Sequence, residues 1–247
     1  MSGRTQPRPS PNPFPTMTQI STPLPHTNSE TFFFGASLET ATHALILLHG
    51  RGGGPRQIAL HIGSSLITPS ITRKLRIVAP AADNRTWYPH PYSRDWSMNE
   101  PWLTGALQRV EQEVRLLEAG GITRDKIMIG GFSQGSCVAA KYVLNYPAKY
   151  WGVFILSGAV PGLFKYVMNS FRGLEEFEGI SLEGTRVLVG CGDSDPMIGV
   201  RAAEWTAWVM EKVGASVDKR IYEGMAHTVC DDEMNALREW INEVNME

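Results

Sequence analysis

A chain of 247 residues, 43% hydrophobic and 19% charged, is long enough for one large domain with a substantial core and too apolar to be disordered throughout. Its formal net charge of −2 leaves no electrostatic case for nucleic acid or an anionic membrane as partner. No apolar run approaches the roughly 18 residues of a membrane span. Three cysteines, Cys137, Cys191 and Cys230, without C-x-x-C spacing argue against a disulfide scaffold or zinc knuckle and for a reducing, cytoplasmic setting in which they are packing residues.

Residues 1–30 differ from the rest. Seven prolines fall between Pro7 and Pro25 among Ser, Thr and Asn, so the segment reads as a disordered leader ahead of a single domain over 31–247. It has no apolar h-region of a signal peptide. Arg4 and Arg8, with no acid before Glu30, are the weak argument for a mitochondrial alternative, and the prolines oppose it.

Thr31 to Phe34 and His43 to Leu48 read as the first strands, the second almost wholly apolar as a strand covered on both faces is. It runs into His49-Gly50-Arg51-Gly52-Gly53-Gly54. Such a loop turns backbone N–H groups inward with no side chain in the way. A phosphate loop is disfavoured, because no Gly-Lys-Ser/Thr ending is present. Leu75 to Pro80 is the next strand. The Trp- and Tyr-rich loop after it, Arg85 to Trp102, offers Trp87 and Trp102 as walls of a substrate pocket or as ordinary packing. Leu107, Val110, Val114 and Leu117 repeat at helical spacing until Gly120-Gly121.

Lys126 to Ile129 reads as a buried strand and Cys137 to Leu144 as a helix. Between them lies Gly131-Phe132-Ser133-Gln134-Gly135, a G-x-S-x-G in the strand–turn–helix context of a nucleophile elbow. Gly152 to Gly158 is a further strand. The insert 161–185 carries apolar residues every three or four positions, which suits a lid, a homodimer surface or a plain surface helix. Arg186 to Gly190 opens into Gly192-Asp193-Ser194-Asp195-Pro196, a helix follows over 198–213, and Lys219 to Tyr222 leads to Gly224-Met225-Ala226-His227. Asp231, Asp232 and Glu233 suit the start of a terminal helix. This alternation predicts a mostly parallel sheet with helices on both faces.

A serine hydroxyl needs a base, and the base needs an acid to hold its tautomer. In the elbow fold the three follow in the order Ser, Asp, His on loops at the sheet's C-terminal edge. Ser133, Asp195 and His227 meet that order, and His227 is the one histidine after the elbow. Asp193 is the competing acid; Asp195 is preferred because Asp-Pro sits just before a helix. Oxyanion donors would be the backbone N–H groups of Arg51 and Gln134. His49 is expected to brace the glycine loop. Such a set is expected to cleave an ester or thioester through an acyl-enzyme with no cofactor and no metal, since no His/Asp/Glu/Cys cluster has ligand spacing. A non-catalytic ligand-binding protein on the same fold is the rival of another class.

On Leu48-His49-Gly50 with its glycine loop, Gly131 to Gly135, Gly192 to Pro196 and Gly224 to His227, the chain resembles the phospholipase/carboxylesterase family, which includes acyl-protein thioesterases. The resemblance runs from about residue 43 to the end. It implies an α/β-hydrolase fold without a large cap domain and the same Ser133, Asp195 and His227. His49 to Gly52, Thr86 to Pro89, Asn99 to Trp102 and Ala226 to Val229 are similar to a carboxylesterase branch. The thioesterases carry Leu-Gly-Asp where this chain has Arg51-Gly52-Gly53. That implies a small-molecule carboxylic ester as substrate, with lysophospholipids and acyl thioesters as alternatives.

Overall fold

The computed structural model describes residues 23–68, 71–162 and 177–243. Its strands are β1 (Thr31–Gly35), β2 (His43–Leu48), β3 (Leu75–Pro80), β4 (Ile127–Phe132), β5 (Gly152–Leu156), β6 (Arg186–Gly192) and β7 (Ser216–Tyr222). They form one sheet in the order β1-β3-β2-β4-β5-β6-β7. The edge strand β1 runs antiparallel to β3, and every other neighbouring pair is parallel. The expected mostly parallel sheet is present.

Helices cover both faces. α1 occupies residues 55–66, α2 is Trp102–Ala119, α3 is Gln134–Asn145, α4 is Val200–Lys212 and α5 is Asp231–Asn242. Successive side chains of a strand point to opposite faces, and β2 supplies both layers. Ala44, Ile46 and Leu48 join the core under α2, α3 and α4, while Leu45 and Leu47 join the core under α1 and α5. α1 was not expected. It is a composite of Pro55–Ile58, a π-helical turn Ala59–Gly63 and Ser64–Leu66. Its apolar positions Ile58, Ala59, Ile62 and Leu66 all face the second core.

The connection from β5 to β6 is confined to residues 157–185, too short for a large cap. Residues 163–176 of the insert, where the sequence predicts apolar helical spacing, lie outside the described residues, as do residues 1–22 of the leader. Residues 23–30, assigned to that leader, instead lie on the domain. His26 is buried; its ring accepts from the Asp83 N–H (2.9 Å) and pairs with the Trp87 carbonyl (2.9 Å). Their partners sit 57 and 61 positions away, which no local pattern reveals. Among the described residues no helix is long and apolar enough to cross a membrane.

From β2 the chain runs outward to β3 and then crosses to β4 on the other side of β2. The loops leaving β2 and β4 therefore diverge, and a crevice opens at their carboxyl ends. In open α/β sheets that switch point is where ligands bind.

Candidate active site

β4 ends at Phe132, and Ser133 adopts φ 56°, ψ −122° before α3 begins at Gln134. A non-glycine residue at that φ is strained by about 1–3 kcal/mol and persists only when its surroundings over-determine it. Here they do. The Ser133 N–H donates to the Leu156 carbonyl (2.9 Å), and its own carbonyl accepts from Ser136 Oγ (2.7 Å) and Cys137 N–H (3.1 Å). Gly131 and Gly135 are required by close approach, since a Cβ on either would collide with the Leu48 carbonyl.

Ser133 Oγ lies 2.9 Å from His227 Nε2, and His227 Nδ1 lies 2.7 Å from Asp195 Oδ2. The other Asp195 oxygen accepts from the backbone N–H groups of Met197 (2.8 Å) and Ile198 (2.9 Å). Burial alone would raise the Asp195 pKa. Hydrogen bonds from Ile198, His227 and Met197 outweigh it and hold the carboxyl below its ordinary range. An ionised Asp195 accepts from Nδ1–H, so Nε2 presents its lone pair to the serine hydroxyl. The arrangement can remove a proton from Ser133 and return it to a leaving group.

Asp193, the competing acid, is elsewhere. Its Oδ1 accepts from the Gly224 N–H (2.8 Å), lacing the loop after β6 to the loop after β7. Ser194 N–H to Met225 carbonyl (3.2 Å) adds a second stitch. Gly224 turns the His227 loop at φ 68°, which favours glycine.

The glycine loop is braced from below. His49 Nε2 accepts from the Ala82 N–H (3.1 Å), so Nδ1 carries the proton and donates to the Gly50 carbonyl (2.8 Å). Burial lowers the His49 pKa and keeps this neutral form. The bracing role expected of His49 is what its contacts show. Trp87 is fully buried and donates its indole N–H to the His49 carbonyl (2.8 Å). Gln134 also holds the aromatic loop, accepting from the Trp87 N–H (2.9 Å) and donating to the Tyr88 carbonyl (2.8 Å). Its own backbone N–H opens α3 and has no intrahelical acceptor.

Two cavities border the Ser133–His227 pair, one at His227 and the other at Ser133. One, about 410 Å³, is bounded by the glycine loop, Gln57, His61, Arg85, Phe132 and His227. The other, about 400 Å³, is bounded by Ser133 and Gln134 with Tyr88, Tyr92, Pro196 and Met197. Arg51 borders both, its guanidinium donating to the Tyr88 (2.8 Å) and Pro89 (3.1 Å) carbonyls. The expectation for Trp87 and Trp102 is corrected here. Trp87 supports the loop from inside, Trp102 is an exposed residue opening α2, and neither borders these two cavities. From the same loop, Tyr88 and Tyr92 border the cavity at Ser133. Gln57, His61 and Met197 were missed, lying on a helix that was not expected and just beyond Asp195-Pro196.

α5 follows the His227 loop directly, and Glu233 caps its start by accepting the Cys230 N–H (2.9 Å). Glu233 is fully buried against β6 at Gly190, with Oε1 unpartnered among the described residues. Burial pushes its pKa up from 4.5 to about 7. Folded protein therefore holds a proton that the unfolded chain has released, and stability falls as pH rises from about 4.5 through about 7. The contribution is about 3 kcal/mol, full at low pH and lost at high pH. Urea melts of wild type and Glu233→Gln at pH 5 and pH 8 should show this slope in wild type and a flatter one in the variant. Equal slopes would refute the assignment.

A family model described as phospholipase/carboxylesterase matches residues 31–245. Acyl-protein thioesterase 1 of Neurospora crassa is 27% identical over 180 residues, covering 62% of this chain and 69% of that protein. A probable carboxylesterase of Oryza sativa subsp. japonica is 26% identical over 155 residues, covering 62% of each. Among solved structures, a phospholipase/carboxylesterase from Dyadobacter fermentans aligns with a TM-score of 0.77 at 27% identity, over 89% of this chain and 99% of that one. Relatives named for both branches thus match at nearly equal identity. The matched span runs from β1 through α5 and takes in the elbow, the glycine loop and the loops of Asp195 and His227. The chain belongs to the phospholipase/carboxylesterase family of ester hydrolases, on an α/β-hydrolase fold.

Proposed function

We propose that the protein hydrolyses small carboxylic esters by two-step acyl transfer. Ser133 attacks the carbonyl carbon, and His227 takes its proton and delivers it to the leaving alcohol. Asp195 holds the imidazole tautomer and offsets the charge that forms on it. The backbone N–H groups of Arg51 and Gln134 receive the oxyanion. Water, deprotonated by His227, then releases the acid. The observation that carries this reading is the unbroken hydrogen-bonded line from Ser133 through His227 to Asp195, at 2.9 and 2.7 Å, on a strained elbow.

Two features support small esters over long acyl thioesters: Arg51-Gly52-Gly53 in the glycine loop, and a cavity beside Tyr88 and Met197 at the small end of ligand pockets. The thioesterase reading uses the same chemistry and is favoured by the name of the Neurospora relative. The test is release of p-nitrophenol from acetyl, butyryl and octanoyl esters. We expect kcat/KM for one of the two short esters to exceed octanoyl by about tenfold or more, the scale of a few misfitted methylenes. An octanoyl optimum would favour the thioesterase or lysophospholipase reading. No turnover of any ester, with ligand binding intact, would favour a non-catalytic protein.

A further inference from the structure

The cavity at His227 and the cavity at Ser133 differ in charge, and the difference follows the path of the leaving group. In acyl transfer the imidazole returns its proton to the departing oxygen, so the alcohol half of the ester must lie on the His227 side. His227 borders the glycine-loop cavity and not the Tyr88 cavity. Tyr88, Tyr92, Pro196 and Met197 thus face the acyl half, and the glycine-loop cavity faces the alcohol.

The alcohol side is built for negative charge. Arg85 and Arg51 both border it, with His61 and Gln57 from α1 opposite, and no Asp or Glu is among its lining residues. Neither arginine forms an ion pair with any described residue, whereas Arg109, Arg115, Arg124, Arg186 and Arg220 do. Arg85 is also held in place. Its Nε donates to the Gly53 carbonyl (3.0 Å), and its own carbonyl accepts from the Gly52 N–H (2.8 Å). It and Asn84 sit consecutively at φ 58° and 51°, a costly backbone for two residues with side chains. With Nε committed to Gly53, the two terminal guanidinium nitrogens stay available. A guanidinium anchored this way offers the paired donors that a carboxylate or phosphate accepts.

We infer that the glycine-loop cavity selects esters whose alcohol half carries an anionic group, with Arg85 as the main recognition cation. This rests on the esterase reading above and names its substrate class.

The test uses two matched pairs of butyrate esters: 3-carboxyphenyl against 3-carbamoylphenyl, and 1-butyrylglycerol 3-phosphate against 1-butyrylglycerol. Wild type at low ionic strength should favour the anionic member of at least one pair by about tenfold in kcat/KM, mostly through KM, as expected for a charge-assisted hydrogen bond. The pair that shows the preference identifies the anion as carboxylate or phosphate. The preference should shrink as salt rises to about 0.5 M. In Arg85→Gln the anionic-to-neutral ratio should approach one. Because it is a ratio within one preparation, partial misfolding cancels. If that variant yields no folded protein, inhibition of wild type by 3-hydroxybenzoate and 3-hydroxybenzamide decides: the carboxylate should bind about tenfold tighter. Turnover of p-nitrophenyl butyrate with no anionic preference in either pair overturns this inference and leaves the esterase reading standing. No turnover of any ester overturns both.

Discussion

Ser133→Ala is expected to lower kcat/KM on p-nitrophenyl butyrate by about 10⁴- to 10⁶-fold, the range seen when a hydroxyl nucleophile is deleted from a hydrogen-bonded catalytic unit. The fold should survive. The serine side chain makes its hydrogen bond to His227, and the elbow is held by backbone and by Ser136. Alanine carries the same Cβ, so the strain at φ 56° is unchanged. Circular dichroism and thermal melting should therefore match wild type while activity disappears. Ser133→Ala combined with His227→Ala should be no worse than either alone, because the residues act as a unit. If the single variant keeps more than about 1% of activity, far above what nucleophile deletion leaves, the nucleophile lies elsewhere.

Asp195→Asn should cost about 10³- to 10⁴-fold in kcat with almost no change in volume. The reason is the pair of backbone N–H groups from Met197 and Ile198 that hold one carboxylate oxygen. In the variant these donors retain the amide oxygen at that position and turn the NH₂ group toward His227 Nδ1. Nδ1 must then accept, the ring proton moves to Nε2, and Nε2 can no longer take a proton from Ser133. Asp193→Asn is the matched control. Asp193 fastens Gly224 and does not reach His227, so its loss should cost no more than about tenfold, a hydrogen bond's worth of positioning. A larger loss from Asp193→Asn than from Asp195→Asn would reverse the assignment of the acid. Measuring kcat on p-nitrophenyl butyrate for both, at a pH where wild type is maximal, separates the two outcomes.

Much of this molecule was legible from local patterns. The apolar runs of β2 and β4 and the elbow glycines report backbone periodicity and turn chemistry, which neighbours in sequence impose on one another, and the order Ser133, Asp195, His227 was matched to the template of the elbow fold. Asp-Pro pointed to Asp195 for a related reason: the next two N–H groups, at Met197 and Ile198, turn back on its carboxylate. α1 was legible in principle, since Ile58, Ala59, Ile62 and Leu66 mark one helical face, but Gly63 and the π-helical turn break its regular period.

Long-range packing, by contrast, sets which way loop side chains face. Trp87 and Tyr88 are neighbours, yet one braces the His49 carbonyl 38 positions away and the other borders the cavity beside Ser133. His26 belongs to the domain because Asp83 and Trp87 receive it. Arg85 faces the glycine loop because Gly52 and Gly53 hold it there. Each outcome depends on contacts between segments far apart in the chain, where periodicity carries no information and the burial of polar groups in matched pairs decides the geometry.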